Sequence, residues 1–468
     1  LEINLEQLAV SVKRFSNKNC GKNKKLERLT EPSEVKTALE HFQQKWTPVL
    51  RRKMRKNKKL ERLTEPSEVK TALEQRDDSI ESHSDLRQQQ KYRRRLKIFV
   101  AFKLLRSFTQ HQQTKRIDPN HDKVMFLPDI AYRNEVGEIV ASLQAWVYRP
   151  KERQRFTHLL ARLFGLDVKS LEAVSRQNFY ARLRLFMAIS STACQLTVRD
   201  EQGRRHILPA THSNGQCHCL ITLLPENRMR QEKPLTQSKI HFQLEEMNNV
   251  RVHSSSYECS DIPCFFSPPH GISIISDIDD TIKQSFIYDK KKLLRTTFLE
   301  KYRPVPEMRD WYQSLAQKEN SAFHYVSSSP IQLYPALRDF MRTEHYPEGS
   351  IHLREATRWR EVLPLPGSSK QHKSKVIARL LNSFKQRKFI LIGDSAGDDA
   401  LIYANFAKVY PEQIIAICIR SVLPHFDKHL YNKIFEATPP HRWLVSEHVS
   451  EMRQFIAGLE GLNVERQA

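Results

Sequence analysis

Asp277-Ile-Asp279-Asp280-Thr281 places three carboxylates and a hydroxyl directly behind the apolar run Ile272 to Ile275. Successive residues of an extended chain point to opposite sides, so Asp277 and Asp279 share one direction. Two carboxylates held side by side repel unless a cation sits between them or one keeps its proton. A metal-assisted nucleophile with an acid/base partner meets both conditions, although an Asp-x-Asp pair taken alone also reads as an exposed acidic turn. Three later segments shift the balance. Phe323-His-Tyr-Val326 runs into Ser327-Ser328-Ser329-Pro330, hydroxyls and backbone N–H groups at a helix start, which suit an anion. Lys370-Gln-His-Lys373-Ser-Lys375 offers that anion a cation. Phe389-Ile-Leu-Ile-Gly393-Asp394 leads on to Asp398 and Asp399, hard oxygen ligands suited to Mg²⁺.

These groups need a frame that brings strand ends together. From Gly271 onward, apolar strands at 272–275, 322–326, 389–392 and 414–418 alternate with helices near 308–317, 331–343, 374–384 and 398–406, and a terminal helix is expected within 439–468. That rhythm predicts an α/β domain, a parallel sheet with helical crossovers, over 268–460. Ahead of it, strands at 124–127, 139–148, 194–199, 204–208, 217–224, 239–244 and 250–255 predict a β-sandwich-like domain over 123–267, interrupted by a helical insertion at 151–186.

The 468 residues exceed one ordinary core, so two folded domains and an extension are expected. Net charge is +23, and residues 1–120 hold 29 Lys and Arg against 15 Asp and Glu. Such a surplus suits phosphates, and charge by itself does not choose between nucleic acid and anionic lipid. Residues 1–90 contain an identical repeat, 22–40 recurring at 56–74, and read as a disordered basic extension. Residues 91–122 read as a basic amphipathic helix, either docked on the next domain or lying in a lipid interface. No apolar run approaches the ~18 to 20 residues that span a membrane. Seven cysteines without framework spacing read as reduced thiols of a cytoplasmic protein, and Cys217-His218-Cys219, lacking a second ligand pair, reads as strand.

The order Asp277-x-Asp279-x-Thr281, Ser327, Lys373 and Gly393-Asp394-Ser395 resembles the haloacid dehalogenase superfamily of phosphotransferases. More closely, Ser276-Asp-Ile-Asp-Asp-Thr-Ile-Lys283, Ser327-Ser-Ser-Pro-Ile-Gln-Leu-Tyr-Pro335, Ile351-His-Leu-Arg354 and His372-Lys373 are similar to actin-patch-type Mg²⁺-dependent phosphatidate phosphatases. Arg303-Pro-Val-Pro306 adds a likeness to bacterial members.

The resemblance implies a HAD-like Rossmannoid sheet with a small or absent cap, and hydrolysis of phosphatidate to diacylglycerol and phosphate through an aspartyl-phosphate. It implies Asp277 as nucleophile, Asp279 as acid/base, and Thr281, Ser327 and Lys373 as further catalytic residues. Asp277, Asp394 and the main-chain carbonyl of Asp279 are implied as metal ligands, and Ser328, Ser329 and Arg354 as substrate contacts. Lys375, Asp398 and Asp399 stay open. A phosphatase of another phosphomonoester and a membrane-associated phosphate-binding scaffold are the alternatives. An anionic membrane surface is the expected peripheral partner, nucleic acid is not, and no oligomeric state follows.

Overall fold

The computed structural model describes residues 114–118, 120–151, 171–223, 239–245, 262–355, 368–423 and 427–465. The repeat, the basic helix as far as residue 113, the insertion over 152–170 and the strand expected at 250–255 lie outside them. Thr114–Ala468 forms one compact unit.

Its first layer comprises β1 (Lys123–Leu127), β2 (Asp129–Arg133), β3 (Ile139–Arg149), α1 (Ala173–Phe186), β4 (Thr197–Asp200), β5 (Arg205–Ile207), β6 (Gln216–Leu223), β7 (Lys239–Leu244) and β8 (Ile262–Phe266). The strands join in one nine-stranded sheet along the path β1-β3-β2-β8-β7-β4-β5, with β6 and the short Ile189–Ser190 also on β3. Period-two alternation divides the side chains. Val124, Phe126, Leu143, Ala145 and Val147 share a core with Leu196, Val198 and Phe242. Met125, Leu127, Trp146 and Tyr148 point the other way, into the core of the second layer. The helix expected over 91–122 does not extend through its described end: Lys115–Arg116 is a short strand parallel to Cys194–Gln195, and Asp118 Oδ1 accepts from Asn120 N at 3.1 Å.

The second layer comprises β9 (Ile272–Ser276), α2 (Lys290–Phe298), α3 (Met308–Ala316), β10 (Ala322–Pro330), α4 (Tyr334–Thr343), β11 (Ser350–Arg354), α5 (Ser368–Ser383), β12 (Lys388–Asp394), α6 (Asp399–Val409), β13 (Ile414–Arg420), α7 (Lys428–Ile434), β14 (Trp443–Ser446) and α8 (Val449–Glu465). Six strands in the order β11-β10-β9-β12-β13-β14, all parallel, make a Rossmann-like sheet. The chain reverses its direction of travel across the sheet between β9 and β12, the switch point at which open α/β sheets hold ligands. Adjacent residues serve opposite faces. Ile274, Tyr325 and Ile392 lie in a core with Trp311, Leu337 and Met452. Ile275, Val326 and Leu391 lie in another with Ile377, Leu380 and Ile402.

The first of these cores also contains Trp146 of β3 and Phe179 of α1, so the boundary expected at 267/268 runs through shared apolar packing. A buried polar seam reinforces the join. The Asp129 carboxylate of β2 accepts from Ser142 Oγ at 2.7 Å and from both terminal nitrogens of Arg379 on α5 at 2.9 and 3.2 Å. Burial alone would raise the Asp129 pKa, but Arg379 holds it below the usual carboxylate value.

Candidate active site

The end of β9 is tied to its neighbour by the Asp277 N–H, which donates to the Ile392 carbonyl of β12 at 2.9 Å. Beyond it the chain turns tightly. Asp280 adopts φ 56°, a left-handed conformation that a short polar side chain tolerates. The Asp280 carboxylate accepts the N–H groups of Ser285, Phe286 and Ile287 at 2.8, 2.8 and 2.6 Å, and its carbonyl accepts from Arg420 Nη1 at 2.7 Å. The third carboxylate of the motif therefore staples the loop, leaving its two predecessors free for other work.

Asp277, Asp394 and Asp399 are buried together, with one carboxylate oxygen of each within 4.8 Å of the others. A Cβ at Gly393 would collide with the Asp399 carboxylate, so glycine makes this approach feasible. Asp394 Oδ1 accepts from Ala396 N at 2.6 Å and Gly397 N at 3.2 Å. Lys373 Nζ lies 3.1 Å from Asp277 Oδ1 and 2.5 Å from Asp399 Oδ1. Three carboxylates thus face one ammonium. Burial and like-charge repulsion raise the Asp277 pKa well above the usual range, and burial with the Asp399 charge pushes Asp394 up to about 7. For Lys373 burial works against the charge, yet Asp277 and Asp399 hold its proton more firmly than usual. Buried hard oxygens with surplus negative charge are the donor set a divalent cation such as Mg²⁺ requires.

Asp279 sits in opposite surroundings. Its Oδ1 lies 2.8 Å from Lys283 Nζ and accepts from Ser285 Oγ at 2.7 Å. Its Oδ2 accepts from Ser329 Oγ at 2.7 Å and Ser327 Oγ at 3.1 Å. Burial would raise its pKa, but the Lys283 ammonium and these hydroxyls pull it far below the usual carboxylate value. The Lys283 ammonium also stands 4.7 Å above the Tyr302 ring. The Asp279 side chain is thus apart from the three-carboxylate cluster, and only its main chain remains for the metal role that the resemblance implies.

The remaining expected residues are spread more widely. Ser327 Oγ accepts from Ser329 N at 2.9 Å. Ser328 shares a hydroxyl hydrogen bond with Ser369, and its carbonyl accepts from Arg354 Nε at 3.0 Å. Thr281 is fully buried, and its hydroxyl meets no hydrogen-bond partner among the described residues. Lys375 is exposed and Asp398 half-buried, so Lys373 and Asp399 are the members of those two pairs that reach the cluster. Helical spacing holds this signal: Lys373, Ile377 and Leu380 follow i, i+4, i+7 on one face of α5, and Lys375 does not. Sequence reading gave no role to Lys283, Ser285 or Arg420, whose partners only the folded loop supplies.

The family model of the catalytic domain of phosphatidate phosphatase APP1 matches residues 272–421. That stretch is thus similar to an actin-patch-type phosphatidate phosphatase catalytic domain, and it takes in β9 through β13 with every residue of the site described above. Phosphatidate phosphatase APP1 of Saccharomyces cerevisiae is 33% identical over 181 residues, 37% of this chain and 30% of that protein. An uncharacterised protein of Schizosaccharomyces pombe is 35% identical over 161 residues, 34% of this chain and 26% of that protein. The chain thus spans less than a third of the length of these curated relatives. Both are fungal, and the bacterial likeness expected around Arg303 gains no support from them.

Proposed function

We propose that this chain is a Mg²⁺-dependent phosphatidate phosphatase of the HAD-like type, releasing diacylglycerol and phosphate. The observation that carries the reading is the cluster of Asp277, Asp394 and Asp399, buried together with one carboxylate oxygen of each within 4.8 Å of the others, and with Lys373 Nζ 3.1 Å from Asp277 Oδ1. Such a site can hold a divalent cation and the charge of a phosphoryl group beside a carboxylate nucleophile. The family match supports phosphatidate as the substrate. Residues 277–321 contain α2 and α3 and no strand, which agrees with a small or absent cap and an open site.

In this mechanism an Asp277 oxygen attacks phosphorus, and the P–O bond to the glycerol oxygen breaks. Asp279, held ionised in the free site by Lys283 and the hydroxyls, would take up the proton of a phosphate monoanion as it binds and pass it to the departing alkoxide. Water then attacks the aspartyl-phosphate and gives its proton to Asp279, freeing phosphate and restoring Asp277. Lys373, the Ser327 hydroxyl and backbone N–H groups hold the phosphoryl oxygens, with Ser328, Ser329 and Arg354 shaping the cradle. Asp277, Asp394 and the Asp279 carbonyl would hold Mg²⁺, which when bound neutralises charge on the transferring group. Asp399 is engaged with Lys373 and fixes it beside Asp277.

Phosphate release from phosphatidate in detergent mixed micelles, with Mg²⁺ or with chelator, tests this directly. Turnover is expected with Mg²⁺ alone, and Asp277→Asn should lower it at least a hundredfold, about 3 kcal/mol of barrier. Full turnover in chelator would refute the metal site. Hydrolysis of an aryl phosphate without any release from phosphatidate would move the substrate elsewhere.

A further inference from the structure

Three exposed apolar side chains stand on one edge of the molecule. Tyr288 is 46% exposed, Leu401 43% and Leu430 48%. Tyr288 lies in the loop after β9, Leu401 in the first turn of α6 after β12, and Leu430 in the first turn of α7 after β13. These strands are adjacent and parallel, so all three positions follow the same sheet edge, the one that carries Asp277 and Asp394. The site itself links them. Tyr288 is within electrostatic reach of Arg420, which holds the Asp280 carbonyl, and Tyr431, next to Leu430, bonds to Ser395.

The Tyr288 loop is built to project. Phe286 is held at φ 59°, an unfavourable conformation for a bulky residue, because the Asp280 carboxylate fixes three successive N–H groups. Directly behind it, Lys290, Lys291 and Lys292 are exposed, with Lys292 Nζ 5.3 Å above the Phe286 ring. Aromatic and aliphatic tips backed by lysines are the composition of a surface seated at a lipid headgroup layer.

We propose that this rim docks on an anionic bilayer, with Tyr288 and Leu430 entering the interface and Lys290, Lys291 and Lys292 on the headgroups. The proposal rests on the phosphatidate reading and adds to it the surface by which the site meets its substrate. The three lysines favour a negatively charged bilayer over a neutral one, and the rim shares the sheet edge at which Asp277 and Asp394 stand.

Two measurements on the 468-residue chain test it. Tyr288→Trp should be quenched by brominated acyl chains in phosphatidylserine-containing vesicles, beyond any quenching of the parent protein. Val136→Trp should not be. Val136 is 83% exposed beside Glu135, which pairs with Lys385 just before β12, hence at the opposite sheet edge. Separately, changing Lys290, Lys291 and Lys292 together to Gln should lower turnover of phosphatidate in vesicles at least about tenfold, since each surface lysine contributes roughly 1 kcal/mol. Hydrolysis of a soluble aryl phosphate should be unchanged.

Equal quenching at the two tryptophans, or none at Tyr288→Trp, overturns the proposal and leaves the rim to a protein partner. A parallel fall in aryl phosphate hydrolysis overturns it in favour of a role in building the site. Quenching at Tyr288→Trp by phosphatidylserine vesicles in a protein inactive on phosphatidate micelles would uphold the rim while refuting the substrate.

Discussion

Lys283 Nζ lies 2.8 Å from Asp279 Oδ1, with the lysine side chain 3% and the aspartate side chain 12% exposed. Lys283→Met leaves a buried carboxylate without its cation, expected to cost about 3–5 kcal/mol of stability. Activity should fall with it, and unequally. Loss of the Asp279 position should slow alkyl phosphates more than aryl phosphates, whose leaving groups need no proton. Equal losses on both substrates, measured at a temperature where the variant stays folded, would limit Lys283 to a structural role.

Asp399 and Asp398 are neighbours with different fates. Asp399→Asn removes the carboxylate 2.5 Å from Lys373 and should lower turnover by more than about tenfold, a loss above 1.4 kcal/mol in the barrier. Asp398→Asn, at a half-buried helix start, should change stability by no more than about 0.5 kcal/mol. Steady-state kinetics and thermal melts of the two variants side by side decide this.

Gly393→Ala introduces a methyl group where the Asp399 carboxylate sits. Overpacking of this kind costs about 1–3 kcal/mol. Because the displaced group is the partner of Lys373, kcat should fall more than the melting temperature suggests. A variant with a lowered melting point and wild-type kcat would show that Asp399 can shift without consequence.

The Asp394 pKa of about 7 sets a pH dependence for the metal-free protein. The unfolded chain loses this proton near the ordinary value of about 3.9, so between there and 7 the folded state holds more protons. Stability from this group therefore declines as pH rises through that window. In chelator the melting temperature should drop between pH 5 and pH 8, and saturating Mg²⁺ should remove most of the drop. An unchanged slope with Mg²⁺ would place the ion away from Asp394.

Breaking the seam between the layers should also be felt at the site. Asp129→Ala deprives Arg379 of two charged hydrogen bonds, at about 1.5–3 kcal/mol each at most. Since Arg379 shares α5 with Lys373, turnover should decline as the helix loses its anchor. A stable variant with a weakened kcat would tie the first layer to catalysis, and a destabilised variant with full kcat would confine it to support.

The strands at 272–276 and 388–394 were legible because β-branched and leucine runs end abruptly on carboxylates, a combination that a helix core would not show. Asp129–Arg133 and Ser350–Arg354 were missed because polar and charged side chains occupy buried positions there, satisfied by partners far away in the chain. Asp129 meets Arg379, and His352 meets both Arg379 and Ser350. Helix Lys290–Phe298 was not expected, and its three leading lysines give its first turn no apolar period to show it. Trp443–Ser446 disappeared into an expected helix because four residues are too few to show a period. Within the site, residue types revealed Asp277, Ser327, Lys373 and Asp394. Lys283 escaped, since its importance lies in a turn that returns it to Asp279, and no spacing rule encodes that turn.

The hydrogen bond from Asp277 N–H to the Ile392 carbonyl has a consequence for biosynthesis. A ribosome delivers β9 and its acidic turn first, while Lys373, Ile392, Asp394 and Asp399 follow much later in the chain. At roughly 5–20 residues per second, several seconds pass in which Asp277 has neither its strand neighbour nor its ammonium. A nascent or truncated chain ending before β12 therefore carries Asp277 without the cluster around it, and any activity that needs this cluster must wait until the switch-point strand has entered the sheet.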